Sequence, residues 1–256
     1  MNRRQVLKGL CAASLAFPYV AVRSAQAQTT RASAANPLSV KALVFDTFGT
    51  VVDWRSSIVA EGPALAKGRN INIDWALFAD RWRAAYAPSM DRVRKGELPW
   101  TKLDDLHRMS LEILLKEFKI EGLSESEKDH WNKVWHRLKP WPDSVAGLTR
   151  LKKKFIVAPL SNGNVALLTD MAKHSGLPWD LILGAELARH YKPDREVYLS
   201  AAEFLGLKTE EVMVVAAHVG DLGDARPAGR GLRGEVGLGA TQLVRAERRR
   251  RAVRGT

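Results

Sequence analysis

Cysteine is nearly missing from this chain: Cys11 is its only cysteine in 256 residues. A disulfide framework and a cysteine-based metal site are therefore excluded. Long apolar runs are missing as well. The apolar stretch over residues 10–22 is broken by Pro18 and is too short to span a bilayer as a helix. Nothing in this composition hinders folding in an oxidising compartment.

The central part of the chain also lacks the excess of positive charge that binding to nucleic acid requires. The whole chain carries a net charge of +12, but residues 1–27 contribute +4 and residues 222–256 contribute +6. The long central part therefore keeps only +2, without the basic face that nucleic-acid binders present. We expect no nucleic-acid partner, and the 46% hydrophobic content predicts a packed core.

The first 27 residues have the features of an export signal. Residues 2–8 (NRRQVLK) resemble the twin-arginine motif, an apolar stretch follows, and residues 25–27 (AQA) match a small-x-small cleavage site. We predict a twin-arginine signal peptide over 1–27, a polar linker over 28–37 and a periplasmic location, with membrane contact only during export. The alternatives are an uncleaved N-terminal anchor helix and, less favoured, lipid attachment at Cys11.

Strand and helix patterns alternate along much of the chain. Four short apolar runs predict buried strands, at residues 42–45, 155–160, 180–183 and 212–216. Helical patterns cover residues 143–153, 164–175 and 193–205. This alternation predicts an α/β fold, a doubly wound parallel sheet with a Rossmann-like core formed by residues 38–55 and 141–221.

Residues 56–140 interrupt this α/β core with helical patterns alone, which predicts an inserted helical cap domain. Helix starts are predicted at Asp74, at Thr101-x-x-Asp104 and at Ser124-x-x-Glu127. The first of these helices should end before Pro88. Tryptophans recur at helical spacing in this segment, and we interpret them as core residues rather than as a cofactor site.

Residues 222–256 differ from the rest of the chain. They contain nine arginines and no lysine, and no strand followed by a helix is recognisable. A disordered basic tail is one interpretation. A shifted reading frame, which would place unrelated residues where the sheet should continue, is the other.

Polar side chains follow each predicted strand. They are Asp46, Thr50, Ser161, Asn162, Lys192, His218 and Asp221. Singly, each has an ordinary explanation as a turn residue, a helix cap or a solvated charge. Because the carboxyl ends of parallel strands meet at one edge of a sheet, together they predict a site there.

Four short segments resemble the motifs of one enzyme superfamily. They are residues 45–50 (FDTFGT), 160–164 (LSNGN), 192–193 (KP) and 216–222 (AAHVGDL). In order, they resemble the four motifs of the haloacid dehalogenase superfamily, and more narrowly those of the L-2-haloacid dehalogenases. The fourth motif departs from that branch, where a serine and an asparagine are usual at the positions of Ala216 and His218.

Position 48 separates the branches of this superfamily. Its phosphatases carry a second aspartate there, which acts as general acid next to a magnesium ion. Phe48 cannot donate a proton, and its apolar ring suits a halogenated carbon chain better than a charged phosphate. A magnesium-dependent phosphatase and an inactive or truncated gene product remain the alternatives.

The resemblance implies a reaction through a covalent ester. Asp46 would displace the halide from an (S)-2-haloalkanoic acid, and water positioned by Asp221 would hydrolyse the ester to an (R)-2-hydroxy acid. Lys192 would keep Asp46 ionised. The resemblance implies no metal and no cofactor, a small-molecule 2-halo acid as partner, and a homodimer.

The resemblance also implies which residues contact the substrate or the halide. They are Phe48, Thr50, Arg83, Ser161, Asn162, Tyr198 and His218. Ser161 would hold the substrate carboxylate, whereas Asn162 and a cap arginine would receive the halide. Arg83 matches that arginine best, with Arg81 and Arg92 as competitors. Tyr198 would orient Lys192 or Asp46.

Overall fold

The computed structural model describes residues 40–217 and the backbone of residues 233–236. Its strands are β1 (Ala42–Phe45), β2 (Val52–Asp53), β3 (Lys139–Pro140), β4 (Ile156–Ser161), β5 (Leu183–Gly184), β6 (Val212–Ala216) and β7 (Arg233–Val236). Among these described strands, five form a parallel sheet in the order β5-β4-β1-β6-β7, and β2 pairs with β3 in an antiparallel ribbon. The strand that carries Asp46 at its end is therefore the central one.

α-Helices connect the successive strands from β2 to β6. They are α1 (Trp54–Leu65), α2 (Trp75–Ala84), α3 (Tyr86–Arg94), α4 (Leu103–Glu117), α5 (Glu125–Asn132), α6 (Ser144–Lys152), α7 (Val165–Ser175), α8 (Ala185–Ala188) and α9 (Arg195–Phe204). Within the described ranges, none of them is long and apolar enough to cross a membrane.

Both faces of the sheet are covered, as β1 shows. All four of its residues are buried, and they alternate between two apolar clusters. Leu43 and Phe45 pack in the cluster that includes side chains of α7, whereas Ala42 and Val44 pack in the cluster that includes side chains of α9. A parallel sheet buried on both faces is the doubly wound arrangement, so the predicted α/β fold class is confirmed.

The third predicted strand is shorter than the sequence indicates. Residues 180–183 were expected to be extended, but β5 contains only Leu183 and Gly184. The reason is Asp180, whose backbone N–H donates to Val157 O (2.8 Å) while its side chain accepts from Val157 N (2.9 Å). A side chain therefore replaces the backbone partner that a longer strand would have provided.

The helical segment between β2 and β3 has an aromatic core. Trp82, Trp131 and Trp135 are each at most 2% exposed, and Phe78 packs edge-on against the first two. Tilted and edge-to-face contacts of this kind add to the stabilisation that area burial gives. The interpretation of the tryptophans as core residues is confirmed, whereas the boundaries of a cap domain stay a prediction.

The helix from Asp74 ends before Pro88, as predicted: α2 ends at Ala84, and Pro88 lies in the first turn of α3, where its missing N–H is tolerated. The capping box predicted at Thr101 and Asp104 was wrong. At the start of α4, Thr101 Oγ1 donates to Pro99 O and the Asp104 side chain bonds elsewhere, so no capping box forms. The one predicted at Ser124 and Glu127 is present.

The arginine-rich tail contains a strand that its sequence does not indicate. The backbone of β7 runs parallel to β6, with Arg233 opposite Met213 and Val236 opposite Ala216. An edge strand is held by backbone hydrogen bonds, so it forms without the apolar run that makes a central strand recognisable. The predicted signal peptide, linker, His218 and Asp221, and the rest of the tail, lie outside the described residues.

His136 links two helices that are distant in the sequence. Its Nδ1 lies 2.8 Å from Asp170 Oδ2 in α7, and its Nε2 lies 3.0 Å from Asp104 Oδ1 in α4. Burial acts against a charge on this imidazole, but the hydrogen bonds and charges of the two carboxylates outweigh it, so the pKa of His136 is raised. The pKa of Asp104 is lowered although burial opposes this, because His136 and Asn164 donate to it.

The contribution of His136 to stability is expected to fall as the pH rises. A histidine with a raised folded pKa stabilises the folded state fully below its unfolded pKa of about 6.5, and this stabilisation is lost through the folded pKa. Asp104 keeps its own contribution above about pH 4. The His136→Asn substitution should therefore lower the free energy of unfolding most at about pH 5.5. Urea unfolding between about pH 5 and pH 9 measures the difference.

The exposed His130 of α5 offers a matched control for this measurement. His130→Asn should change the free energy of unfolding little at any pH in the range, because a solvated side chain loses no buried partner. A difference between wild type and His136→Asn that stays constant from pH 5 to pH 9 would contradict the prediction.

Candidate active site

Asp46 lies directly after the central strand β1. Its backbone N–H donates to Val215 O in β6 at 2.9 Å, which holds it at the edge of the sheet. Thr50 Oγ1 donates to one carboxylate oxygen at 2.7 Å, and Lys192 Nζ donates to the other at 2.9 Å. Asp46 is 7% exposed and Lys192 is 6% exposed. The two charges therefore form a buried ion pair, in a medium where their attraction is much less screened than in water.

A tight turn brings Thr50 back over Asp46. Gly49 has a φ of +87°, which a residue with a side chain adopts only with strain. Thr47 O accepts from the N–H of Val51 at 2.9 Å and closes the turn. The hydroxyl of Thr50 also accepts from Ala217 N at 3.0 Å, just beyond β6. Thr50 thus connects the carboxylate with the ends of two neighbouring strands.

Residues at the end of β4 also contribute to the site around Asp46 and Lys192. Asn162 Oδ1 accepts from the backbone N–H of Lys192 at 2.7 Å, so this amide fixes the segment that carries the ammonium. Ser161 is completely buried, and its hydroxyl oxygen accepts from Gly163 N at 3.2 Å. That bond leaves the hydroxyl hydrogen of Ser161 to donate to a substrate oxygen.

The loop after β4 is held closely against β5. A Cβ atom on Gly184 would lie 2.5 Å from the backbone oxygen of Gly163, which is closer than such atoms approach. Only glycine therefore allows this contact. The close approach fixes the loop that carries Ser161 and Asn162.

Arg83 in α2 has a buried nitrogen without a hydrogen-bond partner. Its guanidinium lies 3.9 Å from the ring centre of Tyr86 and 5.7 Å from that of Trp54. Its Nη1 atom is buried and has no hydrogen-bond partner within the part of the chain that the structure describes. A cation held on aromatic faces with an unfilled donor is suited to bind an anion.

The two competing arginines are engaged elsewhere. Arg81 pairs with Glu117 at 3.3 Å and Arg92 pairs with Glu97 at 3.8 Å, and all four side chains are exposed. Their charges are neutralised and solvated. Arg83 is therefore the arginine among the three that suits an enclosed anion.

The part of the chain that contains these residues matches a known protein family. The family model of the haloacid dehalogenase-like hydrolases matches residues 40–229. The chain belongs to this family. Over 198 residues this hydrolase is 29% identical to (S)-2-haloacid dehalogenase 4A from Burkholderia cepacia, a match that covers 73% of this chain and 79% of that protein.

Solved structures of L-2-haloacid dehalogenases resemble this hydrolase closely. The defluorinating L-2-haloacid dehalogenase Rha0230 is 48% identical with a TM-score of 0.73, over 76% of this chain and 80% of that one. The enzyme from Xanthobacter autotrophicus, with chloropropionic acid covalently bound, is 26% identical with a TM-score of 0.65, over 75% and 76%. The resemblance expected from the four motifs is confirmed.

Sequence reasoning missed Tyr86 of this hydrolase. Burial raises the pKa of Tyr86, while the nearby charges of Arg83 and Lys192 lower it and that of Asp46 raises it. The side chain of Asn162 also acts on its hydroxyl. Tyr86 is therefore near Arg83 of α2, near the polar residues that follow β1 and β4, and near the lysine that precedes α9. Its spacing of three residues from Arg83 was the only available signal, and the helix boundary at Ala85 weakens it.

Phe48 of the hydrolase forms an apolar wall beside the site. It is 2% exposed, and its ring packs edge-on against Tyr86 (6.1 Å between centres) and Trp135 (5.9 Å). The residue that replaces the phosphatase acid therefore joins the reacting end of the sheet to the tryptophan core.

The remaining predicted residues have separate outcomes. Tyr198 is completely buried in α9, in the cluster with Val44 and Val214, and its orienting role stays a prediction. His218 and Asp221 lie outside the described residues. Within residues 40–217, no group of three or more histidine, cysteine, aspartate or glutamate side chains could hold a metal ion.

Proposed function

We propose that this hydrolase converts (S)-2-haloalkanoic acids into (R)-2-hydroxy acids and halide, with Asp46 as the nucleophile. The observation that carries this proposal is the buried Asp46 carboxylate, which lies 2.9 Å from Lys192 Nζ in a site walled by Phe48. The names of several relatives agree with it, since these proteins are (S)-2- or L-2-haloacid dehalogenases.

The first step is a displacement at the carbon that bears the halogen. An oxygen of Asp46 bonds to C2, and the carbon–halogen bond breaks with its electron pair leaving on the halide. Lys192 favours the ionised and therefore nucleophilic carboxylate. The Ser161 hydroxyl holds the substrate carboxylate. Attack from the side opposite the halide inverts C2, which accounts for an (R) product from an (S) substrate.

The departing halide needs a cation in a place without water. Arg83 supplies the cation, and the rings of Phe48, Trp54 and Tyr86 exclude solvent around it. Asn162 contributes an amide N–H, because its oxygen is already bonded to Lys192 N. Fixed donors in a dry site stabilise the developing negative charge more strongly than water does.

The second step is hydrolysis of the ester. Water attacks the carbonyl carbon of the Asp46 ester and one of its protons passes to Asp221. The ester oxygen takes that proton as it leaves, and so becomes the hydroxyl of the product, while Asp46 releases the remaining water proton to solvent and is again a carboxylate. C2 is not touched in this step, so the inversion is kept. The assignment of Asp221 as base rests on the resemblance alone. The role of His218 as a partner of the water or of Asp221 rests on its capacity to form hydrogen bonds, since the family usually has an asparagine at that position.

Halide release without added metal tests this function. Purified protein should release chloride from (S)-2-chloropropionate but not from the (R) enantiomer, and EDTA should have no effect. Because a 48% identical structure is named as defluorinating, we expect fluoride release from a 2-fluoro acid as well. Phosphate release from a generic ester that EDTA abolishes, with no halide release, would replace this proposal by a phosphatase.

We further propose export to the periplasm and a homodimer. The twin arginines Arg3 and Arg4 and the AQA sequence at 25–27 support export, and the dimer rests on the resemblance. In cells that produce the full chain, the same halide assay should find the activity in the periplasmic fraction. Activity confined to the cytoplasm would contradict the location, and a monomer by sedimentation would contradict the dimer.

A further inference from the structure

The proposed mechanism leaves one buried histidine without a role. His107 lies in α4 and is 2% exposed. Its ring stacks on Trp135, with 4.3 Å between ring centres and 18° between planes, and lies 6.2 Å from the ring of Tyr86. Neither ring nitrogen has a hydrogen-bond partner among residues 40–217.

The imidazole of His107 is neutral at ordinary pH. Burial lowers the pKa of His107 to about 3; the charge of Asp104 opposes this and that of Arg83 adds to it. A neutral imidazole has one N–H donor and one acceptor nitrogen. Leaving both unsatisfied in the interior costs free energy, and a phenylalanine would stack on Trp135 without that cost. Packing alone therefore does not explain a histidine here.

A second unsatisfied donor lies nearby. Arg83 Nη1 is also buried without a partner among the described residues, and the Arg83 guanidinium packs on the same Tyr86 ring that His107 faces. The charge of Arg83 also contributes to the lowered pKa of His107. Two enclosed N–H donors around one tyrosine, with no acceptor for either among residues 40–217, fit a small anion.

We propose that His107 donates its ring N–H to the departing halide beside Arg83 and favours small halides as leaving groups. This inference rests on the proposed function and names a residue that determines its specificity. A small halide concentrates its charge and accepts a stronger hydrogen bond than a large one, so a fixed N–H donor helps chloride more than bromide. The imidazole stays neutral and transfers no proton.

Two substitutions of His107 distinguish the effect of the N–H donor from the effect of the aromatic ring. His107→Phe keeps a ring on Trp135 but removes the N–H, whereas His107→Gln keeps an N–H donor. We measure kcat/KM with (S)-2-chloropropionate and (S)-2-bromopropionate, which share one acyl chain. For His107→Phe, kcat/KM with the chloro acid should fall about tenfold, the size expected for one hydrogen bond, and with the bromo acid by less, so that the chloride-to-bromide ratio falls. For His107→Gln, it should stay within about threefold of wild type.

The ratio distinguishes specificity from structure. Loss of packing lowers turnover with both substrates equally, so an unchanged ratio in His107→Phe would overturn the proposal. His130→Phe, the same change at an exposed position of α5, should alter neither rate nor ratio.

Direct halide binding provides a test that does not need turnover. Chloride and bromide are titrated into wild type and His107→Phe while tryptophan fluorescence is followed, since Trp135 stacks on His107. The variant should lose about tenfold in affinity for chloride and less for bromide. Equal losses would overturn the role of His107. If no acid is dehalogenated but halide binding shows this pattern, the proposed function fails and the halide site stands.

Discussion

The Asp46→Asn variant is expected to release halide at least about a thousandfold more slowly than wild type. The amide has the shape of the carboxylate but lacks the charge that attacks C2. It can still accept from Thr50 Oγ1, so the turn over residues 46–52 should keep its conformation. Halide release at a saturating concentration of 2-chloropropionate measures the loss, and circular dichroism confirms that the variant is folded.

An isotope experiment identifies the step that Asp46 performs. In a single turnover in water enriched in ¹⁸O, the product hydroxyl should carry the original oxygen of Asp46, because water attacks the ester carbonyl rather than C2. Heavy oxygen found in the product of that first turnover would contradict the covalent route. Asp91→Asn, which alters an exposed carboxylate paired with Arg94, is the matched control and should keep wild-type activity.

Replacing Lys192 with methionine is expected to affect both activity and stability. The ammonium is 6% exposed and lies 2.9 Å from Asp46, and methionine has a similar length without the charge. Removing one partner of a buried ion pair typically lowers the free energy of unfolding by about 3–5 kcal/mol, because the other charge stays buried without compensation. The uncharged form of the carboxyl is then favoured, and halide release should fall by at least about a hundredfold.

The pH dependence separates these two effects of Lys192→Met. If the lost charge is what lowers activity, part of the halide release should return as the pH is raised, since alkali restores the carboxylate of Asp46. An activity loss that is the same at every pH would show that Lys192 acts by packing alone. Lys152→Met provides the control: that lysine pairs with Asp180 at 2.8 Å but is 38% exposed, and its loss should cost no more than about 1 kcal/mol.

Parallel strands explain why several predicted residues meet. Asp46, Asn162 and Lys192 are separated by up to 146 positions, yet they are joined by hydrogen bonds of 2.7 and 2.9 Å. An apolar run that ends in a polar residue identifies the end of a buried strand, and the ends of parallel strands share one edge. The sheet therefore brings them together without detailed knowledge of the packing.

Sequence patterns in the helices were much less informative about the site than those in the strands. Tyr86 and His107 carry no strand-end signal, and a helical period alone does not tell which stripe faces the sheet and which faces another helix. The part we propose for them in the site depends on how α2, α3 and α4 pack around Trp135. Asp104 shows the same limit, because its expected capping bond is replaced by contacts with His136 and Asn164.

The amino-acid sequence by itself determined the α/β class, the strand that carries Asp46 and the motifs that indicate a dehalogenase rather than a phosphatase. These features depend on local patterns, which a strand or a turn imposes on neighbouring residues. Only the tertiary structure decided that Arg83, rather than Arg81 or Arg92, has a buried donor without a partner among the described residues, and that His107 lies 6.2 Å from the Tyr86 ring on which Arg83 packs. Burial and pairing are properties of contacts between distant segments, and the order of residues alone does not specify them.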